Sequence, residues 1–180
     1  QLPHDIFERE LQALYWFTMF GICYQTPEHA GEVADNLRAL AIPKLIYALS
    51  VKDKQEQQVA LTAFKNYMDN ALSIAPGFFG TFKADFSGYH HRGPYHSAYY
   101  PHALYAGSLI AYLLHDTPYA LSETSIYNLK RGLLTFRFFC AGLNIPAGTV
   151  GRFPNGQQIL ETLLPAFAYV ALSKKEPDKE

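Results

Sequence analysis

The stretch of this chain best equipped for chemistry is Tyr89-His90-His91-Arg92-Gly93-Pro94-Tyr95-His96-Ser97-Ala98-Tyr99-Tyr100-Pro101-His102. Three readings fit it. Imidazoles suit zinc, but the His-Glu-x-x-His pattern is absent, no carboxylate or cysteine completes a set, and Arg92 would repel a cation. Polar residues capping helix ends around a solvated loop form the plain alternative. The third reading is acid–base catalysis on a polyanion. That chemistry needs a base near neutrality, a second proton donor and a cation to hold an anionic group. His, Tyr and Arg supply those three roles, and the residues alone leave all three readings open.

Composition narrows the partners. Net charge is −1 over 180 residues, so no basic field exists that would hold nucleic acid. An anionic polymer must be gripped by a local basic pocket instead. No apolar run is long enough to cross a membrane as a helix. Hydrophobic residues make up 49% and charged residues 17%, which favours a packed core over disorder. Cys23 and Cys140 spell no metal or redox motif and read as small buried hydrophobes. The chain opens at Gln1 and closes on the charged stretch Lys174–Glu180, so it reads as a segment of a longer protein.

The elements that must position these residues read as helices. Asp5–Tyr24 has apolar positions near helical spacing. Thr26-Pro27-Glu28 has the chemistry of a helix start, predicting a helix to about Leu40 that Pro43 interrupts, with a short apolar piece to Leu49. Asp53–Ser73 has one apolar side, ended by Pro76-Gly77. Residues 77–100 form a long loop, and long loops inside compact domains are usually functional. Pro101–His115 is almost wholly apolar and predicts a buried helix. Another runs from Ser122 to about Ala141, then a loop over Gly142–Gly156 carrying Arg152, then a helix over Gln157–Ser173 with Pro165 inside it. No strand and no fixed-period repeat is evident. A helix pair returns the chain to the end where it began. The histidine loop and the arginine loop therefore belong at the same end of the bundle.

The histidine-rich string, together with the residues C-terminal to it, resembles the chondroitinase ABC-type enzymes of polysaccharide lyase family eight. The resemblance is carried by His91, Gly93, Tyr95 and Tyr99, then by Tyr112-Leu113-Leu114-His115-Asp116-Thr117-Pro118 and Glu123. It continues through Asn128-Leu129-Lys130, Leu143 to Pro146, Gly151-Arg152-Phe153-Pro154, and Ser173 to Lys179. It covers residues 77–180; residues 1–76 fit the helical pattern without a motif.

The resemblance implies an all-α fold, with residues 1–180 forming part of one incomplete α/α toroid of helical hairpins. Antiparallel β-sandwich domains would lie beyond the chain. It implies eliminative cleavage beside a uronic acid in chondroitin or dermatan sulfate or in hyaluronan, with catalytic roles on His91, Tyr99 and Arg152. His90, Arg92, Tyr95 and Asn155 are the accompanying substrate-binding candidates. The partner is thus an anionic polysaccharide, with neither nucleic acid nor membrane involved, met in the periplasm or outside the cell. No cofactor is identified in this segment, although the resemblance allows a divalent cation in the full protein. An orienting Glu is expected beyond Glu180.

One departure matters. The His91-to-Tyr99 spacing is one residue longer than the chondroitinase ABC pattern. Chondroitin AC and hyaluronate lyases use a longer spacing, which would select His90. His91 keeps Gly93 and Tyr95 in register, and His90 stays as the second candidate.

In the implied mechanism Tyr99 removes the C5 proton of glucuronate and then protonates the leaving oxygen. His91 serves as base for the opposite epimer, iduronate, and Arg152 or His90 helps neutralise the uronate carboxylate. A free phenol loses its proton only near pH ~10, so this reading requires cations beside the tyrosine.

Overall fold

The computed structural model describes residues 3–152 and 160–174. Among these residues six α-helices carry the architecture: α1 (His4–Thr18), α2 (Ala41–Ser50), α3 (Lys54–Ala71), α4 (Tyr100–Leu114), α5 (Glu123–Phe139) and α6 (Leu160–Leu172). The all-α expectation holds. The order of packing tracks the chain, α1 on α2 and α2 on α3, with α4 lying against α5 and α6.

Two helix starts are capped as their residue types dictate. The Asp53 carboxylate accepts from the backbone N–H groups of Gln55 and Glu56 at 3.0 and 2.9 Å. The Ser122 hydroxyl accepts from Ser125 N–H at 3.2 Å. Each cap satisfies donors that the first turn leaves without partners. Apolar α4 is indeed buried: Tyr100, Ala103, Leu104, Ala106, Ile110 and Ala111 are all at most 1% exposed. Pro165 lies inside α6 with its ring exposed, and it removes the bond its N–H would make to the carbonyl four residues earlier.

The N-terminal third departs from the expectation in three places. The first helix ends at Thr18; Met19 turns left-handed (φ 52°) and Phe20–Tyr24 continues as a 3-10 helix. The helix expected from Thr26 does not form. Gly31 adopts φ +83°, and its N–H donates to the carbonyl of Asn70 (3.1 Å) and the hydroxyl of Ser73 (3.0 Å). A backbone held by a distant helix end in this way cannot also make helical bonds. Pro43 does not interrupt the next helix either. The chain enters it through a π-helical turn, Asn36–Leu40, that runs directly into α2. Widening the turn ahead of Pro43 relieves the ring–carbonyl clash that a proline imposes on a regular helix.

The loop 77–100 is long, as expected, but contains a short ladder that the residue pattern does not announce. β1 (Tyr89–His90) pairs antiparallel with β2 (Gly93–Pro94), joined by the two-residue turn His91-Arg92. Both turn residues have positive φ, 49° and 67°. That is the backbone of a type I′ hairpin, which normally uses Asn-Gly. The unusual residue pair hides the turn from pattern reading.

Tyr100 ties this loop to the bundle. It is fully buried, and its hydroxyl donates to the Phe86 carbonyl at 2.8 Å. A Cβ on Gly88 would lie 1.8 Å from the Tyr100 ring, and one on Gly132 would lie 2.5 Å from its hydroxyl. Two glycines thus form the slot that admits the ring.

Candidate active site

Tyr99 stands at the entry to α4, immediately before the residue that anchors the loop. It is 5% exposed and is surrounded by rings and cations. The His90 imidazole stacks on it, with centroids 4.0 Å apart and planes 19° from parallel. Tyr95 meets it edge-on at 4.7 Å, and His91 meets it edge-on at 6.1 Å. The Arg152 Nη2 donates to the Tyr99 phenolic oxygen. The guanidinium carbon of Arg38 lies 4.6 Å from the Tyr99 ring centroid.

Arg152 reaches Tyr99 because the second loop is bolted to the first. His96 N–H donates to the Thr149 carbonyl and the Ser97 hydroxyl donates to the Val150 carbonyl, both at 2.7 Å. The Arg152 N–H donates to the Tyr95 hydroxyl at 3.2 Å. Gly151 makes the approach feasible: at φ +60°, any Cβ there would fall 2.3 Å from the Tyr95 ring. The expectation that the two loops share one end of the bundle is met by these contacts.

The two candidate histidines occupy different environments. The His90 side chain is 7% exposed; its Nε2 lies 3.5 Å from Asp35 Oδ2 but makes no hydrogen bond. Burial chiefly, and then the neighbouring His91, hold His90 below the usual imidazole range. Asp35 opposes that shift, while Arg38 and Arg152 add to it. His91, carried on the hairpin turn, is exposed, as is Arg92 beside it. His90, His91 and Arg92 line one side of a groove of about 600 Å³ whose other walls are Val33, Phe78, Phe79 and Gly80. Phe78 is 67% exposed there. An aromatic wall with the Arg92 cation beside it suits a sugar polymer bearing anionic groups.

The structure therefore brings together His90, His91, Tyr95, Tyr99 and Arg152, with Arg92 at the rim. Asn155 lies outside the described residues. His96 belongs to the packing: it is 1% exposed, its Nε2 accepts from Gly88 N–H at 3.3 Å, and burial pulls its pKa down to about 4. Asn128, from the Asn-Leu-Lys motif, is also structural, donating to the Leu72 carbonyl at 2.9 Å. Among the described residues no group of three or more His, Cys, Asp or Glu is arranged to hold a metal ion. Cys23 is buried, with its thiol pushed up to about 12 by that burial, and Cys140 is half-buried.

Asp35 and Arg38 also belong to this neighbourhood, although no motif marks them. The Arg38 Nε and Nη2 both lie 2.8 Å from Asp35 Oδ1. At i,i+3 spacing the pair looks like any surface ion pair on a helix, so only the three-dimensional neighbourhood reveals it.

Known proteins share this chain's pattern. A family profile described as "Lyase, catalytic" matches residues 3–180. A chondroitin sulfate ABC exolyase of Bacteroides thetaiotaomicron is 32% identical over 146 residues, covering 81% of this chain and 14% of that protein. A chondroitin sulfate ABC exolyase of Proteus vulgaris is 27% identical, covering 81% of this chain and 15% of that protein. A chondroitin sulfate ABC endolyase of the same organism is also 27% identical, covering 81% and 14%. The chain thus spans about a seventh of the length of these relatives.

Proposed function

The chain belongs to the lyase catalytic-domain family, and on that premise we propose that it carries the acid–base centre of a glycosaminoglycan lyase. The reaction is β-elimination at a uronic acid of chondroitin or dermatan sulfate, with hyaluronan as a further substrate. The observation that carries this reading is Tyr99: a nearly buried phenol whose oxygen accepts from Arg152 and whose ring contacts His90 and Arg38.

The roles derive from where each group sits. A donor from a guanidinium onto the phenolic oxygen stabilises negative charge there. As phenolate, Tyr99 takes the C5 proton of glucuronate. The C5–H electron pair becomes the C4=C5 double bond, and the C4–O bond breaks. Tyr99 then returns the proton to the departing oxygen, so no water is consumed. The uronate carboxylate must be neutralised for C5 to lose a proton, and Arg152 is the cation nearest the phenol oxygen.

His91, exposed on its turn, is free to approach substrate and serves as base for iduronate. His90, covered by Tyr99 and neutral at physiological pH, keeps the phenol ring in place. Arg92 and the Phe78–Phe79 wall grip the polymer, and Tyr95 and Asn155 complete the binding surface. The helices form part of an incomplete α/α toroid, and the protein acts in the periplasm or outside the cell.

The test uses the full-length protein with chondroitin sulfate and with dermatan sulfate. Appearance of an ultraviolet-absorbing unsaturated uronide supports elimination. Products carrying the elements of water, lost on chelation, would point to a metal-dependent hydrolase. Retention of the polymer without turnover would point to a carbohydrate-binding domain.

A further inference from the structure

We propose that Arg38, on the π-helical turn ahead of α2, and Asp35, immediately before that turn, are a positioning pair for the Tyr99–His90 stack. The inference rests on the reading of Tyr99 as the acid–base group and adds to it a second cation, from a part of the chain that bears no motif.

Three observations carry it. First, one carboxylate serves two partners: Asp35 Oδ1 holds Arg38 at 2.8 Å while its Oδ2 lies 3.5 Å from the buried Nε2 of His90. Second, both of those partners meet the Tyr99 ring: Arg38 lies 4.6 Å from its centroid, and the His90 centroid lies 4.0 Å from it. Third, Arg38 sits on a π-helical turn that Asp35 leads into, and π-helical segments inside helices are frequent at functional sites. Because α4 packs against this turn, Arg38 and Tyr99 are brought together by the bundle and not by local sequence.

A guanidinium over an aromatic ring is attracted by the ring's quadrupole, and more strongly once the ring carries negative charge. Arg38 would therefore favour the phenolate of Tyr99 without touching substrate, and Asp35 fixes the position of that cation. The charged and titratable groups around Tyr99 are Arg38 from the π turn, Asp35 just before it, His90, His91 and Tyr95 from the hairpin loop, and Arg152 from the second loop. His102, on the first turn of α4, is held below its usual pKa chiefly by burial and then by Arg38.

The experiment compares Arg38→Met, Arg38→Lys and Asp35→Asn in the full-length lyase, reading kcat and KM for chondroitin sulfate across pH. Arg38→Met should lower kcat about tenfold near neutrality with KM little changed, and should move the ascending limb of the pH profile to higher pH. Arg38→Lys should restore the position of that limb. Asp35→Asn should lower kcat with the same substrate affinity. A rise in KM alone for Arg38→Met would make Arg38 a substrate contact and overturn the proposal. So would an unmoved pH limb in a folded variant, and folding is checked by hydrogen exchange of the α2 and α4 amides. Tyr99→Phe run alongside separates the two readings. If it abolishes turnover while the Arg38 variants behave as wild type, the Tyr99 reading stands and the positioning pair falls. If Tyr99→Phe turns over normally, the underlying reading falls instead.

Discussion

The Nη2 of Arg152 donates to the phenolic oxygen of Tyr99 across 53 residues of chain, joining two loops that two helices separate. The packed helix pair α4–α5 makes that contact possible by carrying the chain out from one loop and back to the other.

Arg152→Lys should cost nearly as much activity as Arg152→Met. A lysine retains the charge but lacks the planar fork, and its single ammonium cannot hold the phenol oxygen from the same direction. Loss of one donor onto a reacting oxygen typically lowers kcat by about 10²–10³. Steady-state kinetics on the full-length protein check it. A Lys variant within a few-fold of wild type would mean that charge alone suffices.

Gly151→Ala should damage the site without touching a reacting group. The new methyl would meet the Tyr95 ring at 2.3 Å on a residue already at φ +60°. A displaced turn takes the Arg152 guanidinium with it, and the local cost is about 1–3 kcal/mol. Gly148→Ala is the control, because a Cβ there meets nothing within 4 Å. Kinetics should show a large loss for the first and near-normal turnover for the second.

The two histidines should divide by substrate. If Tyr99 is the base for glucuronate, as proposed, His91→Ala should lower turnover of dermatan sulfate, rich in iduronate, far more than turnover of chondroitin sulfate. His90→Ala should lower both together by releasing the Tyr99 ring. Equal losses for His91→Ala on both polymers would remove the epimer-specific role.

His96 should make the loop acid-sensitive. Its pKa is about 4 in the fold against about 6.5 in an unfolded chain. The unfolded state therefore binds more protons between those values. The stability that neutral His96 contributes is present above pH ~6.5 and is lost as pH falls toward about 4, on the order of 3 kcal/mol at the limit. The protection factors of the Tyr95 and Tyr100 amides, with the intrinsic pH dependence of exchange removed, should fall over that window. His96→Gln should flatten the dependence, and an unchanged pH dependence in this variant would assign it to other groups.

Much of this was legible in the residues. Capping side chains at Asp53 and Ser122 mark real helix starts, and the apolar run after Pro101 is a buried helix. Placing the histidine and arginine loops at one end needed only the helix count between them. Other features depend on distant contacts. Thr26-Pro27-Glu28 has the chemistry of a helix start, but Gly31 is captured by Asn70 and Ser73, and no local signal reports that. The hairpin turn His91-Arg92 lacks the glycine that normally announces positive φ. Asp35 and Arg38 look like an ordinary surface pair until α4 brings Tyr99 against them.

Tyr99→Phe removes one oxygen and leaves the ring stack in place, so it asks whether Tyr99 moves the protons. The measurement is the initial rate of unsaturated-uronide formation from chondroitin sulfate by the full-length variant, with hydrogen exchange confirming an intact loop. If Tyr99 is the acid–base group, kcat should fall by about 10²–10⁴ or more, with the polymer still bound. Turnover at the wild-type rate would contradict it.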